Sequence, residues 1–330
     1  MLEHGGRLRR AARRYGIPLA DWLDLSTGIN PCGWPVPALP ADCWARLPEA
    51  DDGLETAASA YYGCPAALPL AGSQAAIQTL PRLRPPGRVG VLHPAYAEHA
   101  AAWTAAGHAV QPLAAEAIED RLDRLDVLVL VNPNNPTGVR FAPARLLDWQ
   151  RRLARRGGWL VVDEAYMDPS PEASLCPQAD RPGLLVLRSL GKFFGLAGAR
   201  VGFACGDPRL LDALREALGP WPLAGPSRQV AILALADRAW QAATRRRLPR
   251  ESARLRRLLS DHGLAPDGGS ALFQWLRCDR APAIEDALAR RAILVRRFDD
   301  PPSLRFGLPG DAAAWRRLEE ALRTIAGAAA

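Results

Sequence analysis

Six β-type runs, at 89–92, 110–113, 127–131, 159–162, 184–187 and 201–205, alternate with stretches of helical periodicity, which leaves this chain few architectures. A run such as Val127-Leu128-Val129-Leu130-Val131 has no polar side to offer to water. It needs a sheet covered on both faces, and parallel strands joined through helices supply one. The expectation is an α/β chain with a mostly parallel central sheet in a large domain. Trp221-Pro222 and Gly225-Pro226 punctuate the end of that region, and one long helical stretch is expected over 227–262. After Gly268-Gly269, short strands at 271–276, 293–297 and 304–306, with helices near 282–291 and 311–326, read as a smaller α+β C-terminal domain. A short basic helix at 7–15 opens a Gly- and Pro-rich arm. The expected division is an arm over 1–35, a large domain over 36–222 and a small domain over 223–330.

The net charge of +7 raises the question of a nucleic-acid partner. The basic residues are spread along the chain, however. Arg245-Arg246-Arg247 and Arg254, Arg256 and Arg257 fall among apolar residues at helical spacing, as solvated helix faces do. None of the six cysteines forms a C-x-x-C pair, so no zinc, redox or other metal site is indicated. No apolar h-region follows Met1-Leu2-Glu3, and no run reaches the roughly 18–20 residues of a membrane span. The expectation is a soluble cytoplasmic protein with reduced thiols and neither nucleic-acid nor membrane partners.

Of the 42 lysines and arginines, only Lys192 is a lysine. Arginine serves as well for surface charge. A lysine amine can lose its proton and attack a carbonyl, which arginine does not do. Lys192 lies in Ser189-Leu190-Gly191-Lys192, after an apolar run and eight residues before Arg200. Ser189 and Arg200 are residue types that suit a phosphate. Upstream, Ala71-Gly72-Ser73-Gln74 is a small-residue turn entering a helix, whose N–H groups and dipole also favour phosphate. Asn132-Pro133-Asn134-Asn135-Pro136 makes a stiff turn after the 127–131 run, and the 159–162 run ends in Asp163-Glu164-Ala165-Tyr166. An acid at that point reads either as a cap or ion-pair partner or as the partner of a protonated pyridine nitrogen.

Phosphate turn, Asn turn, Asp strand end, Ser-x-x-Lys and Arg, in that order, resemble the fold-type I pyridoxal-5′-phosphate (PLP) enzymes of the aminotransferase class I/II family. The resemblance runs from about residue 24 to 325. It implies PLP as cofactor, with Lys192 forming the Schiff base and Asp163 on the ring nitrogen. It places Asn135 and Tyr166 at the ring oxygen, and Ser73, Gln74, Ser189 and Arg200 at the cofactor phosphate. Tyr96 would stack on the ring, and His99 would support Asp163. Arg305, in Ser303-Leu304-Arg305-Phe306-Gly307, matches the family's substrate-binding arginine. Arg296 is similar to the second anion-binding arginine of enzymes for phosphorylated amines. A homodimer is also implied.

Within the family, His4-Gly5-Gly6 and Leu25-Ser26-Thr27-Gly28-Ile29-Asn30-Pro31 resemble the arm of the threonine-phosphate decarboxylases of cobalamin biosynthesis. His4, Gly5 and Asn30, with Asn135, Arg296 and Arg305, are then implied to hold a small phosphorylated amino acid, L-threonine O-3-phosphate. An aminotransferase acting on histidinol phosphate or a similar amine shares every cofactor residue and remains the alternative. One departure concerns Leu47, before Pro48, where relatives carry a tyrosine that crosses the dimer interface. That contact is either lost here or supplied by Tyr61 or Tyr62.

Overall fold

The computed structural model describes residues 4–327. These residues divide into two units: one takes in the chain up to Cys32, Pro136–Gly138 and everything from Arg246 onward; the other holds Gly33–Asn135 and Val139–Arg245. Residues 223–245 thus fall in the larger unit, and the arm falls with the C-terminal region.

The larger unit is built on a seven-stranded sheet. From edge to edge the strands are Leu68–Leu70, Gly202–Gly206, Leu184–Ser189, Trp159–Asp163, Val127–Val131, Arg88–Leu92 and Ala109–Leu113. The five strands from Leu184–Ser189 to Ala109–Leu113 are parallel, while Gly202–Gly206 is antiparallel to both of its neighbours. Val127–Val131 is buried at every residue and Leu184–Ser189 at all but Ser189, as their apolar runs require. Val89, Val127, Val161 and Leu185 pack with Ile77, Trp103 and Leu214 in one core cluster. Each edge strand has a proline inside it, Pro69 or Pro112. Arg88–Leu92 connects outward to the edge, while the chain returns at Val127–Val131 on its other side. Such a reversal opens a crevice at the carboxyl ends of the strands, where ligands of α/β sheets bind.

The long helix expected over 227–262 is two helices, Gly225–Ala236 and Arg238–Asp261. The break falls at Asp237, whose carboxylate accepts from the Trp240 amide at 2.9 Å and from Trp34 Nε1 at 3.0 Å. An aspartate side chain satisfying the first amides of a new helix is a strong start signal.

In the smaller unit, Arg296–Asp299, Pro302–Gly307, Phe273–Arg277 and Gly268–Ser270 form an antiparallel sheet in that order. Leu23–Asp24 pairs in parallel with Ile293–Leu294. The helix Leu8–Tyr15 buries Ala11 against Trp22, Ala289 and Ala292. The arm is therefore a packed part of this unit. Among the described residues, no helix is long and apolar enough to cross a membrane.

Candidate active site

In the larger unit the polar motifs follow the carboxyl ends of four adjacent parallel strands. Tyr96 comes after Arg88–Leu92, the asparagine turn after Val127–Val131, Asp163 closes Trp159–Asp163, and Ser189 closes Leu184–Ser189.

The phosphate turn is tightly built. Gly72 sits at φ +73°, and a Cβ there would lie 2.7 Å from Arg200 Nη2, so the guanidinium rests against the turn backbone. Helix Ser73–Thr79 starts at the next residue. Ser189 is the register partner of Gly202, where a Cβ would meet the Ser73 nitrogen at 2.4 Å. Arg200 has φ 53°. This left-handed conformation is uncommon for a residue with a side chain and tends to mark functional sites. The Gln74 side chain is engaged elsewhere: Nε2 donates to Glu98 at 3.1 Å, and Oε1 accepts from the Tyr96 hydroxyl at 3.1 Å. Gln74 can therefore serve an anion through its main-chain N–H. Burial first, then Glu98 and Asp163, pushes the Tyr96 hydroxyl up to about 12.

Asp163 is buried, with Oδ2 3.0 Å from His99 Nε2 and Oδ1 accepting from the Ala165 amide at 3.0 Å. One carboxylate oxygen is thus fixed by the turn and the other by the imidazole. Tyr166 is buried, and Lys192 Nζ lies 5.5 Å from its ring centre. Of the three asparagines, Asn132 is bonded to the Phe141 backbone through both side-chain atoms, and Asn134 donates to the Pro94 carbonyl at 2.8 Å. These two shape the turn. Asn135 follows them and is half-buried.

This donor set fits PLP: a glycine turn and helix start beside an arginine and a serine for phosphate, a held carboxylate for a pyridinium, and an amine beside a phenol.

In the smaller unit, His4, Gly5 and Arg296 line one cavity of about 160 Å³, together with Arg7, Arg10 and Arg14. A Cβ at Gly5 would lie 2.3 Å from the Ser26 carbonyl oxygen, and the Gly6 amide donates to Ser26 Oγ at 2.7 Å. The two arm motifs therefore meet. Arg305 is buried, and its Nη2 donates to the Ser26 carbonyl. Asn30 does not line the cavity. Its Oδ1 accepts from the Cys32 amide at 3.1 Å and from Arg247 at 2.8 Å.

Tyr61 and Tyr62 are both engaged within the larger unit. The Tyr61 hydroxyl donates to Asp168 at 3.0 Å, and the Tyr62 ring is buried 4.6 Å from the Arg188 guanidinium carbon. Two groups were not anticipated: the Arg7, Arg10 and Arg14 wall of the cavity, and the buried Arg188 with its acids. The only trace of the second was an arginine at the end of an apolar run.

The aminotransferase class I and II family model matches residues 47–322. The chain belongs to this family. Among family members, it is 63% identical over 322 residues to a threonine-phosphate decarboxylase of Pseudomonas aeruginosa, covering 98% of this chain and 97% of that one. Its fold is shared by many solved structures, two of which bear on the site. One is histidinol-phosphate aminotransferase from Sinorhizobium meliloti in complex with pyridoxal-5′-phosphate, with a TM-score of 0.81 at 22% identity, covering 100% and 96% of the two chains. The other is L-threonine-O-3-phosphate decarboxylase from Porphyromonas gingivalis, with a TM-score of 0.78 at 19% identity, covering 91% and 98%. One fold thus serves both a decarboxylase and an aminotransferase, and fold alone does not choose between them.

Proposed function

We propose that this chain is a PLP-dependent carboxy-lyase. It converts L-threonine O-3-phosphate to (R)-1-amino-2-propanol phosphate and CO₂, in the cytoplasm, as a step of cobalamin biosynthesis. The observation that carries the reading is the 63% identity to a threonine-phosphate decarboxylase, sustained over nearly the whole of both chains.

When bound, PLP supplies an electron-withdrawing ring that takes up the electron pair of the breaking Cα–carboxylate bond. The chain does the rest. Lys192 carries the cofactor and afterwards returns a proton to Cα. Asp163, oriented by His99 and the Ala165 amide, holds the ring nitrogen charged. Asn135 and Tyr166 would bond the ring oxygen, and Tyr96 would cover a ring face. Ser189, Arg200 and the amides of Ser73 and Gln74 take the cofactor phosphate. The cavity at Arg296 is rich in arginine and suits the dianionic phosphate of the substrate, with His4 and Gly5 beside it. Arg305 takes the carboxylate. Asn30, through Arg247 and the Cys32 amide, shapes the arm. Holding both anionic ends of the substrate would select the reaction by differential binding of its transition state.

The reading includes a homodimer. Trp44 and Leu47 are 71% and 65% exposed and fit an apolar contact with a second copy.

The test is incubation of purified protein with L-threonine phosphate and no keto acid, beside histidinol phosphate with 2-oxoglutarate. CO₂ from the first mixture is the expected result. Glutamate from the second, with no CO₂ from the first, would make the enzyme an aminotransferase.

A further inference from the structure

Asp163 and Glu164 are consecutive, as are Arg188 and Ser189. Side chains along a strand alternate between faces, so each of these strand ends sends one residue toward the cofactor side and one away from it. On the far face, Arg188 is 1% exposed and donates from Nη1 to Glu164 Oε2 at 2.7 Å and from Nη2 to Asp168 Oδ1 at 2.9 Å. Both acids are fully buried. Glu164 also accepts from the Leu175 amide at 2.8 Å and from the Ser174 hydroxyl. The outer end of the network is Tyr61, which donates to Asp168, and Arg245, which donates to the Asp168 carbonyl at 2.9 Å and to the Tyr61 hydroxyl at 3.0 Å. Two acids and two arginines balance in charge.

Stability is a weak reason for such a network, because well-packed apolar side chains often do as well in its place. Its geometry offers a better one. The acids that Arg188 grips lie two residues before and two residues after Tyr166. The same turn is closed by the Met167 amide donating to the Glu164 carbonyl at 3.0 Å. Tyr166 is the buried phenol whose ring faces Lys192 Nζ. We propose that Arg188 is a positioning residue: by clasping both sides of the 164–168 turn it fixes Tyr166 against Lys192, and so sets the proton balance of the lysine nitrogen in the cofactor-bound enzyme. The proposal rests on the assignment of Tyr166 and Lys192 to the cofactor and is independent of the substrate.

The experiment compares wild type, Arg188→Lys, Asp168→Asn, Tyr166→Phe and the Arg188→Lys/Tyr166→Phe double variant, each loaded with PLP. The readouts are the pH midpoint of the cofactor's visible absorbance without substrate, PLP affinity from quenching of tryptophan fluorescence, and the thermal midpoint. Arg188→Lys is expected to move the pH midpoint by about half a unit or more. It should lower kcat about tenfold with KM within about twofold. The double variant should show no more shift than Tyr166→Phe alone. If Arg188→Lys does not fold, Asp168→Asn, which removes one jaw of the clasp, is expected to show the same shift. A folded variant that loses thermal stability but keeps the wild-type pH midpoint would overturn the proposal, as would additive shifts in the double variant. Wild type that bound no PLP would overturn the proposal together with the cofactor reading. Wild type that bound PLP but released no CO₂ would overturn the substrate reading alone.

Discussion

Arg296 and Arg305 stand directly opposite each other as register partners between the antiparallel strands Arg296–Asp299 and Pro302–Gly307. Like charges in that relation destabilise a sheet. Each guanidinium leans on an aromatic ring, Arg296 on Phe298 at 4.9 Å and Arg305 on Phe273 at 5.3 Å. Such contacts soften the repulsion, and an anionic ligand bound beside the two guanidiniums would relieve it further.

Inorganic phosphate should therefore stabilise the protein. Saturating phosphate is expected to raise the thermal midpoint by about 2 °C or more. Arg296→Gln should remove most of that rise and cost about a hundredfold in kcat/KM on threonine phosphate. Calorimetry with and without phosphate checks the first point. An equal rise in the variant would place the anion elsewhere.

Lys192 offers the chain's single side-chain amine for an imine. Borohydride reduction of the yellow, PLP-loaded protein should fix the cofactor to one peptide, the one containing Lys192. Lys192→Arg should fold, keep its charge and lose turnover by several orders of magnitude. Peptide mass spectrometry decides the first outcome, and label on the N-terminal amine instead would refute the assignment.

Asp163→Asn should still bind PLP, because the phosphate turn is untouched, yet lower kcat by about a hundredfold or more as the ring nitrogen loses its anionic partner. His99→Asn, which disturbs only the support for that carboxylate, should cost less. Steady-state kinetics on the two variants orders the effects; the reverse order would make His99 the more direct participant.

Acid stability should be sensitive at Asp52. Arg228 grips its carboxylate through two bonds of 2.6 Å. Burial raises the Asp52 carboxyl, but Arg228 and the Leu54 amide outweigh it and hold the group below the usual carboxylate range. A depressed acid stabilises the fold fully above its unfolded value, near 4, and loses that contribution as pH falls through the folded value. Asp52→Asn should thus cost about 1–2 kcal/mol at pH 7. The difference from wild type should shrink as pH drops below about 4, which urea titrations at several pH values would reveal. A difference independent of pH would mean that packing, and not charge, holds this contact.

What the sequence made legible followed from one-dimensional signals. The strands 127–131, 159–162 and 184–187 were legible because their apolar runs must be buried on both sides, and the positions of Ser73, Asp163 and Ser189 because they stand at a helix start and at strand ends. Strand Leu68–Leu70 escaped notice, since three residues around a proline carry no pattern. The reversed direction of Gly202–Gly206 was equally hidden, because burial looks the same in both senses. The pairing of Leu23–Asp24 with Ile293–Leu294 joins residues far apart in the chain, and no local signal announces it. Arg188 carries no such signal, because the apolar run ends at residue 187, before the charge.

The prolines of the two edge strands have a consequence for how copies of this chain can meet. In Ala109–Leu113 the Ala109 amide bonds inward to Gly87, so alternate residues point their nitrogens outward, and Pro112 falls on one of these. The ring removes a donor that a newcomer strand would need, and Pro69 interrupts the opposite, three-residue edge in the same way. The seven strands are thereby capped at both margins. Extension of this sheet, the route by which exposed strands template fibres, is hindered at both of its edges.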